Sequence, residues 1–184
     1  MSINVFTKED CHTSFWSGGK TTQLFIYPEV ASLQEKNFDF RISTASIEVE
    51  ESVFSPNPGF ERKLMVLEGE LLLQHENNYS KVLKTFEQDH FLGDWNTVSK
   101  GKVLDFNVIY KPEFKIELNY VPLNTEGVVQ FEKIYDLFIY VFKGQLIIEN
   151  KSILKGDFVE IKDENHIAIK AIEECDLVIV KVNK

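Results

Sequence analysis

A chain of 184 residues, 43% apolar and 12% aromatic, can close its own hydrophobic core, so size alone requires neither a disulfide nor a structural metal. Its net charge of −9, with 29 acids against 20 bases, argues against a nucleic-acid partner, because a phosphate backbone recruits clustered Lys and Arg. No apolar run reaches the roughly 20 residues of a membrane span, and Met1–Asp10 lacks the basic-then-apolar order of a secretory signal, so the expectation is a cytoplasmic protein with no membrane partner. The two cysteines, Cys11 and Cys175, are expected to be reduced thiols in that setting.

Taken in chain order, the pattern is one of short apolar runs broken by turn residues. Helical periodicity is scarce, and the best helix candidate is short, Val30–Lys36. The predicted strands include Phe38–Glu50, Arg62–Leu67, Glu70–His75, Lys102–Lys111, Phe138–Phe142, Gln145–Glu149 and Asp176–Val182. Gly69, the Asn77–Asn78 pair and Gly144 read as the turns between them. Fifteen phenylalanines also favour sheet over helix.

The run repeats internally. Leu64-Met-Val-Leu-Glu-Gly69-Glu-Leu-Leu-Leu is matched by Ile139-Tyr-Val-Phe-Lys-Gly144-Gln-Leu-Ile-Ile, and Asp105-Phe-Asn-Val-Ile by Asp176-Leu-Val-Ile-Val. The glycines lie 75 positions apart and the aspartates 71. Two similar offsets in the same order predict a duplicated unit, and a jelly-roll barrel of two facing sheets suits this size. Lys111–Thr125, which carries Pro112 and Pro122, reads as the connection.

A series of blocks makes the pattern more specific. They are Trp16-Ser-Gly-Gly19-Lys-Thr21, Phe40-Arg-Ile-Ser43-Thr-Ala45, Phe54-Ser-Pro-Asn-Pro-Gly59-Phe-Glu-Arg62, Leu67-Glu-Gly69, Phe91-Leu-Gly-Asp94, Gly101 and Asp105-Phe-Asn-Val108. In this order, over residues 5–111, they resemble the HutD/Ves family; the remainder matches that family's second barrel more loosely. The resemblance implies an all-β protein of two tandem cupin-like jelly-roll barrels, a bicupin. Residues 1–111 would form the first barrel and 112–184 a second, smaller one, packed closely, with the N-terminal strand free to cross over. It also implies an accessory or regulatory binder of small molecules, linked in bacteria to histidine utilisation.

A metal-binding cupin sets two His and a Glu on the strand before the hairpin glycine, because a divalent cation needs convergent imidazole and carboxylate donors. Here the segment before Gly69 has no His, and Arg62 stands seven residues before Gly69, where that Glu belongs. Leu137 holds the same place before Gly144. His12, His75, His90 and His166 do not pair at ligand spacing. No metal and no other cofactor is expected.

Strand parity then selects polar residues on apolar strands. Arg62 alternates in phase with Phe60, Leu64 and Val66, so it is expected to point inward. Arg41 and Ser43 share a face with Ala45 and Ile47 unless a bulge near Thr44–Ala45 intervenes. Asp105 and Asn107 form a polar pair on one face. Gly19-Lys20-Thr21 lacks the preceding Gly of a phosphate loop; the turn is expected to fold over the barrel mouth with Trp16 as its wall. Arg41, Ser43, Arg62, Asp105, Asn107 and Trp16 are therefore the candidate ligand-binding residues, with arginines to grip a carboxylate by paired hydrogen bonds. The alternative is that Arg41 or Arg62 pairs with Asp105 in a structural network.

Cys11 and His12 are adjacent on a strand and face opposite ways, which argues against a nucleophile–base pair. No spacing singles out a reaction. The expected partner is a small polar or acidic metabolite bound in the first barrel. A metal-free isomerase- or lyase-like enzyme and a structural protein with filled barrels remain the competing readings. Exposed sheet edges also allow a homodimer.

Overall fold

The computed structural model describes residues 2–132, 136–162 and 166–183. Among them the regular structure is all strand apart from one 3-10 turn, Lys8–Asp10. No helix among the described residues is long and apolar enough to cross a membrane.

The strands, in chain order, begin with β1 (Ser2–Phe6), β2 (His12–Trp16), β3 (Gly19–Tyr27), β4 (Phe40–Ile47), β5 (Glu51–Val53) and β6 (Glu61–Glu68). They continue with β7 (Leu71–His75), β8 (Ser80–Leu83), β9 (Gln88–Leu92), β10 (Thr97–Lys100), β11 (Val103–Tyr110), β12 (Lys115–Leu123) and β13 (Val128–Glu132). The last six are β14 (Asp136–Lys143), β15 (Leu146–Ile148), β16 (Lys151–Ile153), β17 (Phe158–Lys162), β18 (His166–Ala171) and β19 (Cys175–Asn183).

They form two compact units. One is Cys11–Glu113; the other joins residues 2–10 to the chain from Phe114 onward. The division differs from 1–111 and 112–184 at the N-terminus, because β1 takes its backbone partners from β17.

The Cys11–Glu113 unit has a six-stranded sheet, β2-β3-β4-β11-β6-β9, and a four-stranded one, β5-β10-β7-β8. The other unit has β1-β17-β14-β19-β12 and β13-β18-β15-β16. The segment β4-β11-β6-β9 is repeated in order as β12-β19-β14-β17, and β5-β10-β7-β8 as β13-β18-β15-β16. Each unit is thus a two-sheet jelly roll rather than one closed cylinder of hydrogen bonds. The core of the first lies between its sheets, with Ile47, Leu64, Val66, Leu71, Leu73, Leu83, Phe91 and Val103. The second has an apolar cluster between its sheets, with Leu137, Ile139, Val141, Leu177 and Ile179 among its members.

The pairing register sharpens the repeat. Arg62 lies opposite Ile109, Leu64 opposite Asn107 and Val66 opposite Asp105. In the second unit Leu137 lies opposite Lys181, Ile139 opposite Ile179 and Val141 opposite Leu177. Arg62 therefore corresponds to Leu137, Asn107 to Ile179 and Asp105 to Leu177. The sequence pattern had matched Asp105 to Asp176, one residue early, because apolar spacing alone does not resolve a single step.

Two other expectations are corrected, and one open condition is resolved. No bulge intervenes at Thr44–Ala45, since β4 pairs with β11 without a shift, and Arg41 and Ser43 do share a face with Ala45 and Ile47. Register shifts occur instead between Gln23 and Phe25 on β3, beside Leu104/Asp105 and, at the matching place of the second unit, between Val141 and Lys143. The apolar pattern of β4 changes parity because Phe40 through Thr44 are buried on both faces. The connection Lys111–Thr125 is mostly strand β12, and Pro122 is accommodated because β12 is an edge strand. Val30–Lys36 forms turns, not a helix. There the Asn37 side chain accepts from the Ser32 N–H and the Ser32 hydroxyl from the Glu35 N–H, local bonds that compete with helix.

Gly69 and Gly144 close the two equivalent hairpins at φ +95° and +89°. An added Cβ would lie 2.8 Å from the Lys102 carbonyl oxygen at Gly69, and 2.4 Å from that of Glu174 at Gly144. Gly144→Ala is expected to cost at least about 1–2 kcal/mol from the left-handed backbone alone, with the steric clash in addition. A urea-unfolding midpoint unchanged from wild type would contradict this.

Candidate functional site

One cavity of about 460 Å³ lies within the Cys11–Glu113 unit. Its floor is the inner face of the six-stranded sheet. β4 supplies Arg41 and Ser43, β6 supplies Arg62, and β11 supplies Asp105 and Asn107. Antiparallel pairing puts Ser43 opposite Asn107 and Arg41 opposite Ile109, which gathers these side chains on one face. Trp16, at the end of β2, forms part of the wall and is 39% exposed. All six residues selected from the sequence line this one space.

The polar groups there are deeply buried: Arg62 is 7% exposed and Asp105 2%. Arg41 donates from Nε to Gln23 Oε1 at 2.8 Å and from Nη1 to Ser43 Oγ at 3.2 Å. Both partners are neutral, so among the described residues its charge has no bonded counter-ion. Arg62 is held between aromatic faces, its guanidinium carbon 4.7 Å from the Phe54 ring centre and 5.3 Å from that of Phe91. This geometry favours a cation. Among the described residues Arg62 Nε, Asp105 Oδ1 and Asn107 Oδ1 are buried without a hydrogen-bond partner.

Electrostatics follow from the burial. Desolvation lowers both guanidinium groups to about 10; for Arg62, Asp105 opposes the shift and Arg41 adds to it. Desolvation pushes Asp105 up to about 7, with Arg62 pulling the other way. The donor set does not fit a divalent cation. It offers a single carboxylate and no imidazole or thiolate, and two guanidinium groups share the space. Among the described residues no three His, Cys, Asp or Glu side chains converge.

The rim contains residues that parity did not find. Leu33, Gln34 and Lys36 reach it from the β3–β4 connection. Lys36 Nζ donates to the Pro56 carbonyl at 2.9 Å, tying that connection to the Phe54–Gly59 turn. The turn is pinned in its own right: the Asn57 N–H donates to the Gly93 carbonyl and the Gly59 N–H to Asp94. These bonds join two of the sequence blocks, Phe54–Arg62 and Phe91–Asp94. Gln23 could have been sought as a polar residue on a strand beside Arg41; the β3 register shift next to it obscures its facing.

The HutD family profile matches residues 8–179. The chain belongs to the HutD family. Its fold is also that of several solved bacterial proteins. A conserved protein of unknown function from Pseudomonas aeruginosa superposes with a TM-score of 0.85 at 18% identity, with all of both chains covered. HutD from Pseudomonas fluorescens gives 0.79 at 22%, again over all of both chains. A bacterial pirin from Escherichia coli, solved in complex with nickel(II), gives 0.79 at 15% and covers 98% of each chain. No match was found among curated proteins.

Among the described residues no histidine side chain lines the cavity of this HutD-family chain. His12 is exposed on β2. His90 Nε2 is 2.7 Å from Glu61 Oε2 and 3.1 Å from the Tyr110 hydroxyl. His75 is buried in a hub, its Nδ1 2.8 Å from Thr97 Oγ1 and its Nε2 3.1 Å from Asp89 Oδ2. The side chain of His166 lies outside the described residues. Cys11 and Cys175 form no disulfide.

Proposed function

We propose that this chain is a HutD-family cupin that binds a small carboxylate, without a metal ion, in the cavity of its Cys11–Glu113 unit. Its role would be accessory or regulatory. The observation that carries the reading is the set of three buried, unpartnered atoms on one cavity: Arg62 Nε, Asp105 Oδ1 and Asn107 Oδ1. Leaving such groups unsatisfied costs roughly 1–3 kcal/mol each, and a polar ligand removes that cost. Arg62 would anchor the carboxylate, Arg41 would add a second cation, and Asn107 and Ser43 would select among ligands. The second unit has Leu137, Leu177 and Ile179 at the matching positions, which offer no polar contact. Formate is a natural first probe: the HutD structure from Pseudomonas fluorescens is described as a formate condition, and formate is the smallest carboxylate. A place beside histidine utilisation, within the cytoplasm, is proposed on the family tie alone.

The test is a thermal-shift screen of formate, acetate, succinate and glutarate against wild type, Arg62→Met and Arg41→Met. A ligand present at about 100 times its dissociation constant adds roughly 2.7 kcal/mol of stability. That gain is expected to disappear in Arg62→Met and to shrink in Arg41→Met, with both ligand-free variants folded. A gain that survives in both variants would assign the ligand to another place. Native mass spectrometry of freshly purified protein supplies the complementary measurement, a retained metabolite of defined mass.

A further inference from the structure

We propose that the cavity takes up its carboxylate together with one proton, and that the proton resides on Asp105. The inference rests on the binding reading above and adds its regulation by pH. Asp105 sits on the cavity floor at 2% exposure, its Oδ1 without a hydrogen-bond partner. Its strand neighbours are Ala45 on β4 and Val66 on β6, which give the carboxyl group no donor from their side chains. The ionisable groups that share the cavity are Arg62 from β6, Arg41 from β4 and, at the rim, Lys36 from the β3–β4 connection. From the facing sheet, β5 contributes Ser52 and Val53, which carry no charge.

A carboxylate seated against Arg62 becomes a second anion beside Asp105. Two carboxylates at close range in a desolvated site do not both stay ionised; the second charge is repelled and one group keeps a proton. The incoming ligand takes the position next to the guanidinium, so the proton falls to Asp105. Its acid O–H then donates to a ligand oxygen, turning an unpaired acceptor into a donor. The proton comes from solvent, and no covalent bond forms or breaks. Burial already favours the protonated form of Asp105 near neutral pH, so little proton uptake accompanies binding at about pH 6 and nearly one proton at about pH 9.

The experiment is a set of succinate titrations followed by thermal shift between about pH 6 and pH 9, where succinate always carries at least one ionised carboxylate. Wild type, Asp105→Asn and Arg62→Met are compared. In wild type the dissociation constant should be flat at the acid end and rise about tenfold per pH unit above roughly pH 7. Asp105→Asn presents an amide N–H at every pH. It should show no slope and should bind about 100-fold more tightly than wild type at about pH 9. Binding that is lost in Arg62→Met but independent of pH in wild type would leave the carboxylate site standing and overturn the proton coupling. A wild-type slope that persists in Asp105→Asn would overturn it as well, by locating the proton elsewhere. Succinate that stabilises wild type at no pH would overturn both readings.

Discussion

Asp105→Asn should make the ligand-free protein markedly more stable than wild type at alkaline pH. The Asp105 carboxyl is raised from 3.8 to about 7 by burial. A group with a raised folded-state pKa contributes stability that is fully present below the unfolded value and is lost as pH rises through the folded one. Ionising it fully costs on the order of 4 kcal/mol, at 1.36 kcal/mol per tenfold. The amide has no charge to desolvate. Urea unfolding at about pH 5 should therefore show a gain for the variant of under about 2 kcal/mol, and at about pH 9 a gain on the order of 4 kcal/mol. Parallel stability curves across that range would mean that Asp105 is not the buried acid the cavity geometry describes.

Asp89→Ala should have an effect of similar size and opposite sign. Asp89 is the acceptor at the centre of a hub: His75 Nε2 lies 3.1 Å from its Oδ2, Lys81 Nζ 3.1 Å from its Oδ1, and the Tyr79 hydroxyl 3.1 Å from both oxygens. Burial pushes Asp89 up, but the bonds from His75, Lys81 and Tyr79 outweigh it and hold the group below the ordinary carboxylate range. Its contribution is thus present above an unfolded value of 3.8 and lost as pH falls. Removing the carboxylate strands a histidine whose side chain is fully buried. A loss of several kcal/mol is expected, because each buried hydrogen-bonding group left unsatisfied costs about 1–3 kcal/mol. The hub also backs the candidate site, since the His75 ring packs 4.5 Å from Phe91, the ring that faces Arg62. Asp89→Asn keeps one acceptor and should lose less. A variant Asp89→Ala as stable as wild type would show the hub to be incidental.

The sequence carried much of this, for reasons that can be named. A period of two is a local property, so the inward facing of Arg62, in phase with Leu64 and Val66, could be read before any contact was known. The duplication was equally visible, because a hairpin glycine flanked by apolar runs is a strong local pattern. What stayed hidden depends on which strands lie side by side. Phe54 and Phe91 face Arg62 from a turn and from β9, and no spacing along the chain announces that meeting. His75, Asp89 and Thr97 come from β7, β9 and β10, which only the order and facing of the sheets bring together. Lys36 arrives on a turn that was expected to be helix. The placement of Ser2–Phe6 beside β17 likewise depends on a partner more than 150 residues away.

The matched registers of the two units have a consequence for how such a cavity arises. Arg62, Asp105 and Asn107 stand where the sister unit has Leu137, Leu177 and Ile179, on strands of the same order with a bulge at the same place. The backbone of this jelly roll is therefore indifferent to whether its interior is a solid or a receptacle. A duplicated unit can thus keep its apolar core, as Leu64, Val66 and Phe91 do here, while buried polar groups occupy part of the same interior.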